Sequence, residues 1–190
     1  MNWLAHLLLS EPTSAFRIGN LLPDMLPLAE LACLPAEFQR GATCHRRIDA
    51  FTDAHPVVRR SRNRFSPTFR RFAGILTDMF YDHVLARDWH RYSSVPLPDF
   101  VGEVHASFDL HRDDLSPSTY AGLQHMRAGN WLNSYGEMTG LRTALERIGS
   151  RFRRPVNLGD AAAELELHYQ PLCADFAEFF PELEAHVREG

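Results

Sequence analysis

The chain has 190 residues, an apolar content of 45% and a formal net charge of −4, which predict one globular domain over residues 1–190. Its three cysteines lie far apart and form no Cys-x-x-Cys pair, a pattern that argues against a disulfide framework and a structural zinc knuckle. The apolar N-terminal segment is too short for a signal peptide or a membrane span, so we expect a cytoplasmic protein that has no membrane partner.

Helical patterns fill nearly the whole sequence. Sustained alternation of apolar and polar residues and Asn-Gly or Asp-Gly hairpin signals are lacking, and both are typical of strands. The prediction is therefore an all-α protein, a single-domain bundle of about seven to nine helices. The helices are expected at about 2–10, 35–54, 56–64, 66–92, 97–110, 116–134, 137–151 and 160–187, the last broken at Pro171 and Pro181.

The first helix and the segment that follows it each carry one candidate ligand. His6 lies on the edge of the helix at 2–10, and Asp24 follows Pro23, which weakens helix at the end of the segment 18–24. Each is a weak signal alone, because a histidine on an apolar helix is usually a core residue and Pro-Asp is common in turns.

The helix at 35–54 carries a stronger pair. His45 and Asp49 are four residues apart and share one helical face, so both could bind one metal ion. A simple hydrogen bond between them on a surface helix is the alternative. Arg46 and Arg47 follow His45 directly and are predicted to clamp a phosphate group.

The helix at 66–92 is apolar almost all round and is predicted to be central. It begins at Ser66-Pro67, a favourable N-cap and first helical residue. Asp78 and Asp82 lie on a stripe that is otherwise apolar. Because an unpaired buried charge is costly, these carboxylates need a metal ion, a salt bridge with arginine, or a proton.

Taken together, these side chains could converge from at least three helices. Nitrogen and oxygen ligands without thiolate favour Mn²⁺, Mg²⁺, Fe²⁺ or Zn²⁺ over a structural zinc. Such a site beside arginines suggests hydrolysis of a phosphate ester. The sequence has no Gly-x-Ser-x-Gly elbow and no P-loop.

The charge is unevenly distributed. All twenty basic residues are arginine, and residues 40–71 carry nine of them against two aspartates, whereas residues 160–190 carry eight acids against one arginine. The basic stretch could bind an anionic partner, or the acidic C-terminal region could pair with it internally. A nucleic acid is not expected, because the aromatic residues near these arginines fit the periodicity of a core.

Several motifs in order resemble the acyl-carrier-protein phosphodiesterase family over nearly the whole chain. They are Met-Asn-Trp-Leu-Ala-His-Leu at the N-terminus, Gly-Asn-Leu-Leu-Pro-Asp at 19–24, His-Arg-Arg-Ile-Asp at 45–49, Thr-Asp at 52–53, His-Pro at 55–56, residues 78–83 followed by Trp89, and His-Tyr at 168–169. Trp3 stands where Phe is expected in this family.

The resemblance implies hydrolysis of the phosphodiester that joins 4′-phosphopantetheine to a serine of holo-acyl carrier protein. It also implies an HD-domain-like fold and dependence on Mn²⁺, with Mg²⁺ or Fe²⁺ as alternatives. The implied pool of metal ligands is His6, Asp24, His45, Asp49, Asp78 and Asp82.

Further roles follow from the same resemblance. His83 would support the ligands from behind, Asp24 would be a candidate general base, and His45, Arg46 and Arg47 would act in catalysis. The acidic carrier protein would dock on the basic stretch through Arg59, Arg60, Arg62, Arg64 and Arg70.

Two other interpretations stay open. The protein could be an HD-like phosphohydrolase of a small nucleotide or another phosphodiester. It could instead be a non-catalytic helical module that binds an acidic protein through its arginines.

Overall fold

A computed structural model describes residues 1–189, so Gly190, the last residue of the predicted domain, lies outside the described chain. Residues 1–189 contain no strand, which confirms the all-α prediction. None of the helices in this part of the chain is both long and apolar enough to cross a membrane. The helices are α1 (Trp3–Leu8), α2 (Ser14–Gly19), α3 (Leu28–Leu31), α4 (Ala36–Ala54), α5 (Pro56–Arg62), α6 (Ala73–Arg87), α7 (Leu97–Leu110), α8 (Pro117–Ala128), α9 (Trp131–Ser134), α10 (Met138–Ser150), α11 (Ala162–Leu167) and α12 (Tyr169–Arg188).

Helix α6 is the central helix, as its apolar pattern predicts. It packs against α1, α5, α10 and α12, and Leu76, Phe80 and Leu85 on it are fully buried. A helix surrounded in this way has little solvent-facing surface for polar residues. Its few polar side chains therefore need specific partners.

This helix begins later than predicted. Ser66 does not cap a helix, because both its backbone N–H and its hydroxyl donate to the carboxylate of Glu164 in α11. Residues 67–69 form a turn, a 3-10 turn follows at Arg70–Phe72, and α6 starts at Ala73. A tertiary contact thus replaces the local capping signal.

The predicted helix at 116–134 is divided into α8 and α9. Asn130 between them has φ 48° and ψ 40°, the left-handed conformation that asparagine tolerates better than most residues. The break redirects the chain and buries Trp131 at the first position of α9.

The break in the C-terminal helical region also differs from the prediction. It falls at His168, between α11 and α12, and not at either proline. Pro171 lies in the first turn of α12, where the N–H groups have no partner within the helix. Pro181 lies inside the helix.

Helices α2 and α4 approach each other through glycine. A Cβ atom on Gly19 would lie 2.2 Å from the carbonyl oxygen of Phe38, and one on Gly41 would lie 2.2 Å from that of Phe16. No other residue type fits at these positions without moving the helices. This close contact places Asn20, which follows α2, against His45 on α4.

Candidate metal centre and the adjoining pocket

Three predicted ligands meet where α1 and α4 pack together. His45 Nε2 lies 3.0 Å from Asp49 Oδ2, and His6 Nε2 lies 3.3 Å from Asp49 Oδ1. The two imidazole rings are stacked, with centroids 4.0 Å apart. Both histidines are buried, whereas Asp49 is 40% exposed. One nitrogen from each ring and one carboxylate oxygen lie within 4.8 Å of one another, so one ion could contact all three.

A single buried asparagine orients both rings. The side-chain amide of Asn20 donates to His6 O and to Ser10 Oγ, each at 2.9 Å, which leaves Asn20 Oδ1 as an acceptor. His6 Nδ1 therefore donates to Asn20 Oδ1 at 3.0 Å, and His45 Nδ1 donates to the backbone oxygen of Asn20 at 2.7 Å. In a neutral ring the other nitrogen, Nε2, then carries an unprotonated lone pair. In both rings this nitrogen faces Asp49.

These donors fit a cation. Two nitrogen lone pairs directed at a carboxylate repel it unless a proton or a metal ion lies between them. Burial lowers the pKa of the His6 imidazole, which disfavours a proton there, and His6 Nε2 has no hydrogen-bond partner. Burial alone would also lower the pKa of the His45 imidazole, but its contact with Asp49 and the charge of Asp24 raise it, so a proton can bridge His45 and Asp49 until a metal ion replaces it. Burial alone would raise the pKa of the Asp49 carboxyl, but its contacts with His45 and His6 hold it well below its usual range.

Two further aspartates surround this group. Asp24 Oδ1 lies 3.7 Å from His45 Nε2, while Asp24 Oδ2 accepts a hydrogen bond from Trp3 Nε1 at 2.7 Å. Asp78 Oδ1 lies 3.6 Å from the amino nitrogen of Met1, which is itself 3.3 Å from Asp49 Oδ1. Both aspartates reach solvent and could complete the coordination of an ion.

Asp82 has a different environment from the other predicted ligands. It is fully buried, and its two oxygens accept the backbone N–H groups of Leu4 and Ala5 at 2.7 and 3.1 Å. Burial raises the pKa of the Asp82 carboxyl to about 7. Its oxygens accept hydrogen bonds from N–H groups in the first turn of α1, which have no partner within the helix. Asp82 therefore fixes the N-terminus of α1 against α6.

His83 does not support the cluster from behind, contrary to the prediction. Its Nδ1 lies 2.8 Å from the carbonyl oxygen of Tyr135 and its Nε2 lies 2.9 Å from the hydroxyl of Tyr169. Neither ring nitrogen is free to reach a ligand. The residue joins α6 to α12 and to the end of α9.

Arg46 and Arg47 also lie away from the cluster. Successive residues of a helix point about 100° apart, so neither shares the face of His45. Arg46 donates to Thr43 Oγ1 on the surface, and Arg47 donates to the backbone oxygen of His186 in α12. The structure therefore does not bring the two predicted phosphate clamps to the ligands.

Most of the predicted docking arginines have acidic partners within the chain. Arg60 and Arg64 both bind the buried carboxylate of Asp175, and Arg62 pairs with Asp53 and lies 3.9 Å from Asp78. Arg70 donates to Asn63 and to the carbonyl oxygen of Phe65, and Arg59 is exposed. Internal pairing, the alternative for the basic stretch, therefore accounts for much of it.

A pocket of about 320 Å³ adjoins the cluster. Its lining includes Asp24, Asp78, Trp131, Arg147 and Arg151. Sequence reasoning missed Trp131 and the two arginines, and it also missed the role of Asn20. No local motif marks Trp131, Arg147 or Arg151, because α9 and α10 reach the site only through tertiary packing.

The comparisons with known proteins identify the family of this chain. A model of the family described as acyl carrier protein phosphodiesterase matches residues 1–183. The chain belongs to this family. It is 35% identical over 185 residues to the acyl carrier protein phosphodiesterase of Enterobacter sp. (strain 638), covering 96% of this chain and 95% of the relative.

Other members of the family show similar identity over nearly their full length. The acyl carrier protein phosphodiesterase of Yersinia enterocolitica is 31% identical over 191 residues, covering 100% of this chain and 98% of the relative. That of Salmonella agona is 35% identical over 189 residues, covering 98% and 97%. No solved structure matches the chain significantly, so the HD-like character of the fold stays a prediction.

Proposed function

We propose that the protein hydrolyses holo-acyl carrier protein to apo-acyl carrier protein and 4′-phosphopantetheine, and that it requires a divalent metal ion, with Mn²⁺ favoured. Membership of the family supports the substrate. The observation that carries the metal requirement is the convergence of two imidazole Nε2 atoms, both oriented by Asn20, on the Asp49 carboxylate.

In this proposal His6, His45 and Asp49 hold the ion, and Asp24 and Asp78 stand at its edge. An ion bound there would supply activation of a water molecule and polarisation of a phosphoryl oxygen. Nitrogen and carboxylate donors without thiolate suit Mn²⁺. Mg²⁺ and Fe²⁺ are the alternatives to be tested beside it.

Asp24 is proposed as the general base. It is 44% exposed, lines the pocket, and keeps Oδ1 free while Trp3 holds Oδ2. It can accept the proton of a water whose oxygen attacks phosphorus. The bond between phosphorus and the seryl oxygen then breaks, the seryl oxygen takes a proton from solvent, and Asp24 returns its proton to solvent. Reaction in ¹⁸O-labelled water should place the label in 4′-phosphopantetheine, whereas label in the serine would contradict attack at phosphorus.

The test is incubation with holo-acyl carrier protein, with Mn²⁺ or with a chelator, followed by mass spectrometry of the carrier. We expect loss of the phosphopantetheine mass only in the presence of metal. His45→Gln should lower turnover by at least about 100-fold, because a metal ligand is lost. His90→Gln is the matched control, since His90 is exposed and lies outside the cluster.

The same assay separates the alternatives. Metal-dependent turnover of a small phosphodiester without any turnover of the carrier would favour a hydrolase of small substrates. Binding of the carrier that survives the chelator, without loss of mass, would favour a non-catalytic module. Either result would contradict the proposed function.

A further inference from the structure

Part of the pocket lining is built on one tryptophan, Trp131. The guanidinium carbon of Arg147 lies 3.8 Å from the centroid of the Trp131 ring, and that of Arg151 lies 5.6 Å from it. The two arginines are four residues apart at the end of α10, so they share a face of the helix. Trp131 in turn stacks on Trp3, with centroids 5.7 Å apart and planes 13° apart.

This stack is connected to the candidate metal centre. Trp3 contacts Trp131 through its ring and donates its indole N–H to Asp24 Oδ2 at 2.7 Å. Trp131 is buried, and stacking on an aromatic ring restricts the guanidinium of Arg147 to one plane. The arginine wall is therefore held in a fixed position relative to the ligands.

Arg147 and Arg151 have no acidic partner among residues 1–189. Neither forms an ion pair within 4.0 Å, and no protein acceptor takes a hydrogen bond from either guanidinium in this part of the chain. Arg60, Arg62 and Arg64, by contrast, all have carboxylate partners. Burial lowers the pKa of the Arg147 guanidinium, and Arg151 lowers it further.

Two neighbouring guanidinium groups with unused N–H donors at the wall of a pocket make a site for an anion with several oxygens. Guanidinium presents parallel N–H groups that match phosphate geometry. Asp24 and Asp78 line the same pocket, and a cation held by His6, His45 and Asp49 would offset their charge. The arginines can then bind the phosphate while it stays beside the proposed general base.

We infer that Arg147 and Arg151 bind the phosphate of the substrate, with Trp131 as the platform that orients them. The inference rests on the proposed function, in which a 4′-phosphopantetheine arm enters this pocket. It assigns to α10 the task that the sequence had suggested for Arg46 and Arg47. Arg46 and Arg47 have partners elsewhere and do not line the pocket, whereas these two arginines do.

The test compares the binding of 4′-phosphopantetheine with that of pantetheine, which lacks the phosphate. Calorimetric titration in the presence of Mn²⁺ should give at least tenfold weaker binding of 4′-phosphopantetheine to Arg147→Gln and to Arg151→Gln than to the unmodified protein. Binding of pantetheine should be unchanged. The ion is present in every titration, so the difference isolates the arginines.

Arg142→Gln is the matched control, since Arg142 is exposed on the same helix and does not line the pocket. It should bind both compounds as the unmodified protein does. Arg147→Lys keeps the charge but not the planar fork, so its affinity should lie between those of the unmodified protein and Arg147→Gln. Thermal unfolding of each variant reports whether the fold is retained.

Two results would overturn the inference. One is normal binding of 4′-phosphopantetheine by both glutamine variants. The other is an unmodified protein that does not distinguish 4′-phosphopantetheine from pantetheine. If the unmodified protein removes the prosthetic group but one of these two binding results is found, the arginine assignment fails and the proposed function stands. If binding of 4′-phosphopantetheine depends on the arginines but the unmodified protein does not remove the prosthetic group, the proposed function fails instead.

Discussion

Asn20 determines the chemistry of the cluster although it would not itself touch an ion. Its side chain orients His6, and its backbone oxygen orients His45. Both histidines therefore present the same nitrogen to Asp49. Outer hydrogen bonds of this kind fix the tautomer of a ligand and raise its basicity.

Replacing this asparagine should weaken metal binding. Asn20→Ala removes the acceptor for His6 Nδ1 but leaves the backbone contact with His45, so we expect Mn²⁺ affinity to fall by about 10- to 100-fold. Calorimetric titration with Mn²⁺ measures this. Asn157→Ala, which removes an exposed contact with Asp160, should have no effect, and unchanged affinity in Asn20→Ala would show that His6 needs no such support.

At the scale of single residues, spacing predicted that His45 and Asp49 lie together but misplaced the arginines. His45 and Asp49 share a helical face, and the rise of the helix fixes that relation locally. The convergence of His6 on Asp49 depends on how α1 packs, which no local pattern contains. Asp82 resembles Asp78 in sequence, but only the structure shows that the backbone of α1 occupies its oxygens.

At the scale of elements, the crossing of α2 and α4 sets the geometry of the cluster. Gly19 and Gly41 allow backbone-to-backbone contact, and Asn20 follows directly after α2. A change in the spacing between these helices would move the acceptors of both histidine rings together. Stability and metal binding are therefore coupled at this crossing.

Gly19→Ala should disturb both properties. The added methyl group meets the carbonyl of Phe38, so we expect a loss of about 1–3 kcal/mol in the free energy of unfolding and weaker Mn²⁺ binding. Gly102→Ala is the control, because Gly102 lies within α7 with no heavy atom within 4 Å of the new methyl group. It should stabilise the protein by about 0.5–1 kcal/mol, as measured by denaturant unfolding. An unaffected Gly19→Ala variant would mean that the two helices are free to separate.

The sequence predicted the helices where local signals decide their ends. The expected range 97–110 is the observed α7, and the expected 35–54 differs from α4 by one residue. The prediction failed where a distant residue takes over a local role. Glu164 accepts the hydrogen bond of the Ser66 hydroxyl, which was expected to cap α6. The left-handed conformation of Asn130 separates α8 from α9.

At the scale of the whole molecule, the basic stretch at 40–71 and the acidic C-terminal region meet where α5 packs against α12. Asp175 on α12 is buried and accepts hydrogen bonds from Arg60, Arg64 and Ser61. Burial alone would raise the pKa of the Asp175 carboxyl, but these hydrogen bonds hold it below its usual value. The contact therefore stabilises the fold when Asp175 is ionised.

Asp175→Asn should lower the free energy of unfolding by about 2 kcal/mol at neutral pH, because it removes hydrogen bonds to a charged group. Because folding lowers the pKa of the Asp175 carboxyl, its ionised form stabilises the folded state fully at any pH above the pKa in the unfolded chain, about 3.9. This stabilisation is lost as the pH falls through the lower pKa of the folded state. The difference between the two proteins should thus be constant at neutral pH and shrink below about pH 4. Denaturant unfolding at several pH values measures this, with Asp113→Asn, at an exposed position, as the control. A difference that stays the same at low pH would contradict the assignment.

Two of the three tryptophans, Trp3 and Trp131, form the stacked pair at the pocket. The third, Trp89, packs against Phe100 and donates its indole N–H to the carbonyl of Val95. Two of the three tryptophan fluorophores of this protein therefore report on the pocket. A Trp89→Phe background would confine the tryptophan emission to the pair, so that the arrival of an ion or a phosphorylated ligand could be followed optically in solution without an attached dye.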